Sequence, residues 1–151
     1  MTGVTWTKLL DSKDVQRHTT SKREVDAFRN LVARDLADAA IAGLSADRRF
    51  ATAYNAAQQA MNMAIACAGY RVTARIGHHR ISLESARLAL GAAARDDADY
   101  FEMCRRKRNA IDYTHSHVAT ETEAKEILEK ANAFYELVEK WIAKNHATLK
   151  K

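Results

Sequence analysis

Proline is absent from this sequence of 151 residues, and glycine occurs only five times. These two residues mark turns and strand ends, so their scarcity argues against a chain built of many short strands. Residues that favour helices, such as alanine, leucine, glutamate, lysine and arginine, are abundant instead. We therefore predict an all-α fold, an up-and-down bundle of about five helices.

Cysteine is scarce as well, with only Cys67 and Cys104. Both lie inside predicted helices and lack the spacing of metal ligands, so we expect buried, reduced thiols in a cytosolic protein rather than a disulfide. The sequence also has no glycine-rich phosphate loop, no serine elbow and no histidine–glutamate metal motif. We accordingly expect neither a metal nor another cofactor.

The hydropathy pattern does not indicate a membrane protein. The first ten residues have neither the basic start nor the apolar run of a signal peptide. The longest uncharged run, Phe50 to Tyr70, approaches the length of a membrane span, but four amides interrupt it on several sides. These amides are Asn55, Gln58, Gln59 and Asn62. We predict a buried central helix here, no contact with a membrane and a cytoplasmic location.

The composition fits one globular domain, with 47% hydrophobic and 28% charged residues over 151 positions. The formal net charge of +5 is compatible with a polyanion such as RNA as a partner. Three of the cations stand near the carboxyl end, at Lys144, Lys150 and Lys151. A solvated chain end explains these three equally well, so the charge alone does not assign a partner.

Helix-start and helix-stop signals divide the chain. We predict an amino-terminal arm over residues 1–20, one helical domain over 21–147 and a basic tail over 148–151. Capping residues and glycines bound the five helices. These run from Ser21 to Gly43, from Ser45 to about Gly69, from Ser82 or Ser85 to Leu90, from Ala93 to Tyr113, and from Thr120 or Thr122 through Ile142. The arm is expected to lay Trp6 on the domain.

The second and fifth predicted helices have different faces. The second is rich in alanine on one face, which lets neighbouring helices approach closely and places this helix at the centre of the bundle. The fifth has a wide apolar stripe from Ile127 to Trp141. A stripe this wide predicts packing against its own bundle and also against a second subunit, and hence a homodimer.

The stretch from Cys104 to His117 concentrates reactive side chains. It holds four consecutive cations, an amide, a carboxylate, a phenol and two imidazoles. Steps of three and four residues place Arg108 on the apolar stripe of the fourth helix, where a hydrophobic residue is expected. Arg106 and Lys107 point toward solvent on the same helix. Arg108 is therefore the cation marked for a specific role.

Two structural explanations compete with a functional one. The fourth helix begins with aspartates and ends with cations, an order that complements the helix macrodipole. Asp112 lies one turn after Arg108, so the two can form a salt bridge worth ~0.5 kcal/mol if exposed. Under either explanation the protein is a structural helical dimer whose basic cluster merely ends a helix.

An arginine and a histidine are a sufficient minimum for metal-free cleavage of RNA. The 2′-hydroxyl of RNA is its own nucleophile, a histidine with a pKa of ~6.5 is the base or acid, and arginine neutralises charge developing on phosphate. Arg108 and His115 share a helical face but lie ~10 Å apart along its axis. A two-fold dimer that apposes two such helices can bring one chain's arginine toward the other's histidine.

The segment from Tyr70 to Arg80 is a second basic candidate. One interpretation is a phosphate-contacting loop in which Arg71 and Arg75 bind RNA. His78 or His79 then serves as a ligand or an acid. The other interpretation is a solvated connection that its apolar residues pin to the bundle. Adjacent histidines point in different directions on helices and strands, which makes them a poor metal pair.

At these residues the sequence resembles the HEPN family (higher eukaryotes and prokaryotes nucleotide-binding). Arg108 and Asn109, followed by His115, are similar to its signature of an arginine, a polar residue, four to six further residues and a histidine. The segments 53–57 and 69–71 also resemble the central helix of prokaryotic members. The resemblance therefore includes the helix that the pattern places at the centre of the bundle.

The resemblance extends from Arg23 to Trp141 and implies a helical bundle that dimerises through the motif helices. For active members it implies a metal-independent RNase, commonly a toxin paired with a nucleotidyltransferase-like antitoxin. Carried over to this chain, Arg108 is the phosphate-binding catalytic arginine, Asn109 positions it, and His115 is the acid or base. Arg105 and Tyr113 are further RNA-binding candidates.

A tyrosine permits a second interpretation of the same motif. Tyr113 stands nearer to the usual position of the histidine than His115 does, a version associated with members that are not clearly catalytic. A tyrosine can bind a phosphate or stack on a base, but with a pKa of ~10 it is a poor proton shuttle at neutral pH. The alternative function is a non-catalytic module that binds RNA, a nucleotide or a partner protein.

Overall fold

Five long helices, preceded by a short one, make up most of the chain. The computed structural model describes residues 3–74, 77–113 and 117–151, with the backbone alone for 112 and 113. The elements in order are α1 (Trp6–Asp11), β1 (Val15–Arg17), α2 (Lys22–Ala39), α3 (Ala46–Cys67), β2 (Tyr70–Val72), α4 (His78–Leu90), α5 (Arg95–Tyr113) and α6 (Glu121–Asn145). Two single-turn 3-10 helices cover Gly91–Ala94 and Ala147–Leu149. The prediction of an all-α bundle of about five helices is confirmed.

The central helix of the bundle is α3, as predicted. It packs against α2, α4, α5 and α6. Its alanines at 53, 57, 60 and 64 have no solvent exposure, and their small side chains let the neighbouring helices approach closely. No helix within residues 3–74, 77–113 and 117–151 is long and apolar enough to span a membrane.

The surrounding helices face α3 with larger apolar side chains. Val25 and Val32 of α2 and Ile127 and Phe134 of α6 are fully buried or nearly so. The ring of Phe134 meets the ring of Phe101 on α5 edge to face, with centroids 5.5 Å apart. The core therefore extends from α2 through α3 to α5 and α6 as one cluster.

Three of the predicted helix starts are confirmed by side-chain caps. The hydroxyls of Ser21, Ser45 and Thr120 each accept a hydrogen bond from the backbone three residues later. Thr120 and Glu123 form a complete capping box, in which each side chain accepts the backbone N–H of the other residue, and the bond from the Thr120 N–H to Glu123 is 2.9 Å. The Glu24 carboxylate does not make the corresponding bond to the Ser21 N–H in the described structure, because it contacts His18 and Thr20 instead.

Two other predicted helix boundaries are wrong. The first long helix ends at Ala39 with a right-handed cap at Ala40, so Gly43 is not its stop. The helix α4 begins at His78 after Gly77, whose φ of 85° lies in the left-handed region that favours glycine. Ser82 is therefore inside α4, where its hydroxyl donates to the carbonyl of His78 at 3.0 Å.

A two-stranded antiparallel sheet, absent from the sequence prediction, ties the amino-terminal residues to the bundle. Val15 in β1 pairs with Val72 in β2. The ring of Trp6 stacks on the ring of Tyr70, with centroids 3.9 Å apart and planes inclined by 7°. Trp6 therefore does lie on the body of the domain, through contact with β2.

A buried arginine joins α2, α6 and the carboxyl-terminal residues. Arg29, 7% exposed, donates to both carboxylate oxygens of Glu139 at 2.9 Å. It also donates to Asp26 Oδ1 at 2.7 Å and to the carbonyl of Leu149 at 2.8 Å. Burial raises the pKa of Glu139, but hydrogen bonds from Arg29 and Tyr135 outweigh this effect and lower the pKa below its ordinary value. The pair is thus ionised in the folded protein at neutral pH.

Candidate functional site

The four consecutive cations of α5 have different surroundings. Arg105 donates to Glu102, one turn earlier, at 2.8 Å. Lys107 contacts Glu123 of α6 at 2.5 Å, so it links two helices. Arg106 is exposed. Because two of the cations are neutralised by local carboxylates, the basic run presents less charge to solvent than its sequence indicates.

Arg108 lies on the inward-facing stripe of α5, as predicted. Phe101 and Cys104, earlier on this stripe, are buried, and Arg108 itself is half-buried. Its Nη2 donates to Oδ1 of Asn55 on α3 at 3.1 Å. The central helix therefore helps to orient the guanidinium of Arg108 through the amide of Asn55.

A buried phenol lies beside this pair. Tyr54, the neighbour of Asn55 on α3, has no solvent exposure. Its hydroxyl has no hydrogen-bond partner within the described residues. Burial raises the pKa of Tyr54 to about 12, and the positive charges of Arg105 and Arg108 oppose that rise. The phenol is therefore a neutral donor at physiological pH rather than a base.

The first turn of α4 brings an imidazole to the same part of α3. Nδ1 of His79 lies 3.3 Å from Oε1 of Gln58, one turn beyond Tyr54. The ring centroids of His79 and Tyr54 are 6.4 Å apart. His78 and His79 are thus in a helix rather than in the phosphate-contacting loop that one interpretation proposed. Tyr54, Asn55 and Gln58 form a polar patch on the central helix, between the arginine of α5 and the imidazole of α4.

An aspartate anchors the connection that follows the motif helix. Asp47, in the first turn of α3, accepts the backbone N–H of His117 at 2.6 Å and that of Ala119 at 2.7 Å. His117 has a φ of 58°, in the left-handed region. Asp47 therefore ties the backbone just before α6 to the first turn of α3.

The structure describes only some of the remaining predicted site residues. Asn109 follows Arg108 on α5 and is half-buried. Arg71 lies on β2, is exposed and lines a cavity described below. His115, Arg75 and the side chains of Asp112 and Tyr113 lie outside the described residues. The roles assigned to them, and the salt bridge between Arg108 and Asp112, stay predictions.

Sequence reasoning missed the α3 side of the site. Asn55 and Gln58 were noted only because they interrupt an uncharged run, and no partner was assigned to either. That interruption was the available signal, because polar side chains inside a buried helix need hydrogen-bond partners. Within the described ranges, no three histidine, cysteine, aspartate or glutamate side chains group as metal ligands do.

The fold and the site together define the class of protein. It is an all-α bundle in which an arginine of α5 contacts the polar patch on the central helix α3. A family model described as HEPN domain matches residues 32–141, which is more than two thirds of the chain. The chain belongs to the HEPN family. Neither a curated protein nor a solved structure matches it in the corresponding searches. The matched span includes both Asn55 and Arg108, and the family is associated with nucleotides and RNA.

Proposed function

We propose that this protein is a HEPN-type endoribonuclease that cleaves RNA without a metal ion. In this proposal the guanidinium of Arg108 binds the scissile phosphate. The observation that carries the proposal is the hydrogen bond of 3.1 Å between Arg108 and Asn55. It fixes a permanently charged, planar donor group on an inward stripe of α5, where packing alone favours an apolar residue.

The chemistry needs a proton acceptor and donor in addition to the arginine. His115 is assigned this role, with Asn109 positioning the arginine. The 2′-hydroxyl of RNA attacks the phosphorus as His115 takes its proton, and the bond between phosphorus and the 5′-oxygen breaks. His115 returns that proton to the leaving 5′-oxygen, and Arg108 stabilises the charge that develops on the phosphate oxygens. Electrostatic stabilisation by one such donor is worth ~3–4 kcal/mol in other enzymes, or a factor of about 100 to 1000 in rate.

The proposed active form is a homodimer that apposes two α5 helices. The sequence spacing predicts ~10 Å between Arg108 and His115 for a helix that continues to residue 115, so in this proposal one chain's arginine works with the other chain's histidine. Met103 on α5 is apolar and 66% exposed in the single chain, so its side chain is available to such an interface. A single exposed apolar side chain is common on protein surfaces, and the dimer is therefore proposed from the spacing of Arg108 and His115.

The first experiment is incubation of the purified protein with transfer RNA or total RNA in EDTA. We expect cleavage by the wild type and its loss in Arg108→Ala and His115→Ala. Asn55→Ala should lower cleavage less than Arg108→Ala does, because it removes only the group that orients the guanidinium. Arg106→Ala is the matched control, since it removes the same charge from an exposed position of the same run. Equal loss in this control would contradict a specific role for Arg108.

A second candidate function is a module that binds RNA or a nucleotide without cleaving it. One observation favours it: the described ionisable hydroxyl beside Arg108, that of Tyr54, keeps its proton at neutral pH. The described part of the site therefore supplies a phosphate-binding group and a hydrogen-bond donor. RNA binding without cleavage, weakened in Arg108→Ala but not in Arg106→Ala, would support this function and contradict the endoribonuclease proposal.

The wider setting that we propose is a cytoplasmic toxin with a nucleotidyltransferase-like antitoxin. This part of the proposal rests on the family alone. Its test is growth of a host that expresses the wild type or Arg108→Ala, each with and without the neighbouring gene. Growth arrest by the wild type alone, relieved by a neighbouring nucleotidyltransferase-like gene, is the expected result. Equal growth in all four cultures would contradict it.

A further inference from the structure

A cavity of about 230 Å³ lies between α2, the second half of α3 and β2. Its polar lining residues are His18, Glu24, Asn62, Tyr70 and Arg71. Asn62 follows Asn55 by seven residues on α3, which separates the cavity from the arginine site by ~10 Å along the helix axis. The two sites are therefore distinct.

Glu24 supplies a negative charge at this cavity. His18 Nε2 lies 2.7 Å from Oε1 of Glu24, and the hydroxyl of Thr20 donates to the same oxygen at 2.6 Å. Within the described residues no hydrogen bond reaches Oε2. Burial raises the pKa of Glu24, but the contacts with Thr20 and His18 and the charge of Arg71 together lower it. Glu24 is thus an oriented, ionised carboxylate with one oxygen open to a donor.

Arg71 supplies a positive charge at the same cavity. Its backbone is fixed in β2, where it pairs with Gln16 of β1. Its charge lowers the pKa of Glu24, yet the two side chains form no ion pair in the part of the chain that the structure describes. The cavity therefore lies between opposite charges that are near enough to interact and too far apart to bond directly.

Asn62 and an apolar wall complete the cavity. The Nδ2 of Asn62 donates to Oε1 of Gln59 at 3.4 Å, which leaves its Oδ1 as an acceptor. The apolar lining comprises Phe28, Ile65, Ala66 and Val72. One end of the cavity is thus charged and the other hydrophobic.

We propose that this cavity binds a free amino acid with an aliphatic side chain. The ammonium group donates to Glu24 and Asn62, the carboxylate accepts from Arg71, and the side chain contacts the apolar wall. The charges select against other small solutes, since Glu24 repels inorganic phosphate. The volume selects against nucleotides, because sites for drug-sized ligands span ~300–1,000 Å³. A small zwitterion with an aliphatic side chain satisfies both charges and the hydrophobic wall at once.

The test is calorimetric titration of the full chain with L-leucine at pH 7, together with two ligands that each lack one charged group and with inorganic phosphate. Leucinamide lacks the carboxylate, 4-methylpentanoate lacks the ammonium group, and inorganic phosphate lacks both the ammonium group and the apolar side chain. We expect L-leucine to bind and each of the others to bind at least about tenfold more weakly, which corresponds to ~1.4 kcal/mol or more. Failure of L-leucine to bind, or equal binding of phosphate, would overturn the proposal.

Two variants locate the site. Glu24→Gln keeps an acceptor for Thr20 but removes the charge, and Arg71→Gln removes the opposite charge from an exposed position. Each should weaken binding of L-leucine at least about tenfold. Arg23→Gln, an exposed cation beside Glu24 that does not line the cavity, is the matched control. If both Glu24→Gln and Arg71→Gln bind L-leucine as tightly as the wild type, leucine binds outside this cavity and the proposal is overturned. RNA cleavage plays no part in this test, so its outcome is independent of the proposed function.

Discussion

Replacing Arg29 with methionine tests whether the arginine network holds α6 and the chain end onto α2. Arg29 donates two hydrogen bonds to Glu139, one to Asp26 and one to the carbonyl of Leu149. Methionine fills much of the same volume and has no donor. Among the described residues, the Glu139 side chain, 10% exposed, then keeps one hydrogen-bond donor, the hydroxyl of Tyr135 at 2.5 Å. The variant therefore leaves a buried carboxylate largely uncompensated.

The expected loss of stability is about 3 kcal/mol. Removing one partner of a buried ion pair costs ~3–5 kcal/mol, and the lower end applies because Tyr135 still donates to Glu139. With an m-value of about 2 kcal/mol per molar urea, this loss lowers the unfolding midpoint by roughly 1.5 M. The assay is urea unfolding at pH 7, followed by far-ultraviolet circular dichroism.

An exposed ion pair of the same helix provides the control. Lys22 pairs with Asp26 at 2.9 Å, and both side chains are more than 40% exposed. Lys22→Met removes one cation, as Arg29→Met does, but leaves no buried charge behind. We expect its midpoint to stay close to that of the wild type. Equal midpoints for the two variants would refute the reasoning.

Acid should reduce the difference between the wild type and Arg29→Met. In the wild type the pKa of Glu139 is lowered, so its stabilising effect is present above the ordinary carboxylate pKa of about 4.5 and is lost as pH falls further. In the variant, burial without the arginine raises that pKa, and protonation then relieves the buried charge. The two unfolding midpoints should therefore converge as the pH falls from 7 through about 4.5 and below. A difference that stays constant over this interval would mean that Glu139 is not the group responsible.

Three further outcomes are expected. Asp47→Ala should cost ~0.5–2 kcal/mol in urea unfolding, as loss of a helix cap does, and should speed hydrogen exchange at the two backbone amides that Asp47 holds. Burial raises the pKa of Cys67 and of Cys104 to about 11, so a thiol reagent at pH 7 should label either one only as fast as the protein unfolds. If RNA binds, Arg108→Ala should reduce the slope of log affinity against log salt by ~0.7, the value for one phosphate contact on a single strand. If Arg106→Ala reduces that slope and Arg108→Ala does not, the phosphate contact belongs to Arg106 and the role proposed for Arg108 is contradicted.

The helices were predictable because their signals are local. Caps such as Ser45 and Thr120 act within three residues, and the alanine-rich face of α3 recurs at a fixed period. The strands β1 and β2 were not predictable in this way. Each has three residues, and each needs a partner more than fifty positions away along the chain. A segment that short has too few alternations to distinguish a strand from an irregular arm.

The helix boundaries that were wrong show the limits of residue type as a signal. Gly43 was predicted to end the first long helix because glycine accepts a left-handed conformation. The helix α2 ends earlier, at Ala39, and its cap residue Ala40 has a right-handed conformation. Gly77 has the left-handed conformation instead, at the start of α4 rather than at the end of a helix. Which glycine bends the chain depends on how neighbouring elements pack, and this is not encoded in the glycine itself.

The arginine was predictable and its partner was not. Arg108 is identified by its position on an apolar stripe, which depends only on the period of its own helix. Asn55 is identified only once α3 and α5 have packed, because the crossing of two helices decides which side chains meet. The same holds for His79, whose neighbours Tyr54 and Gln58 come from α3.

The amides that interrupt α3 connect these observations. A polar side chain in a buried helix is costly unless it has a partner, so each amide marks a place where the bundle is polar. Asn55 meets α5, Gln58 meets α4, and Asn62 lines the cavity beside α2 and β2. Because ~10 Å of helix separates the first from the last, Asn55→Ala should affect RNA and spare leucine binding. Asn62→Ala should do the reverse, and loss of the same binding in both variants would contradict two separable sites on the central helix.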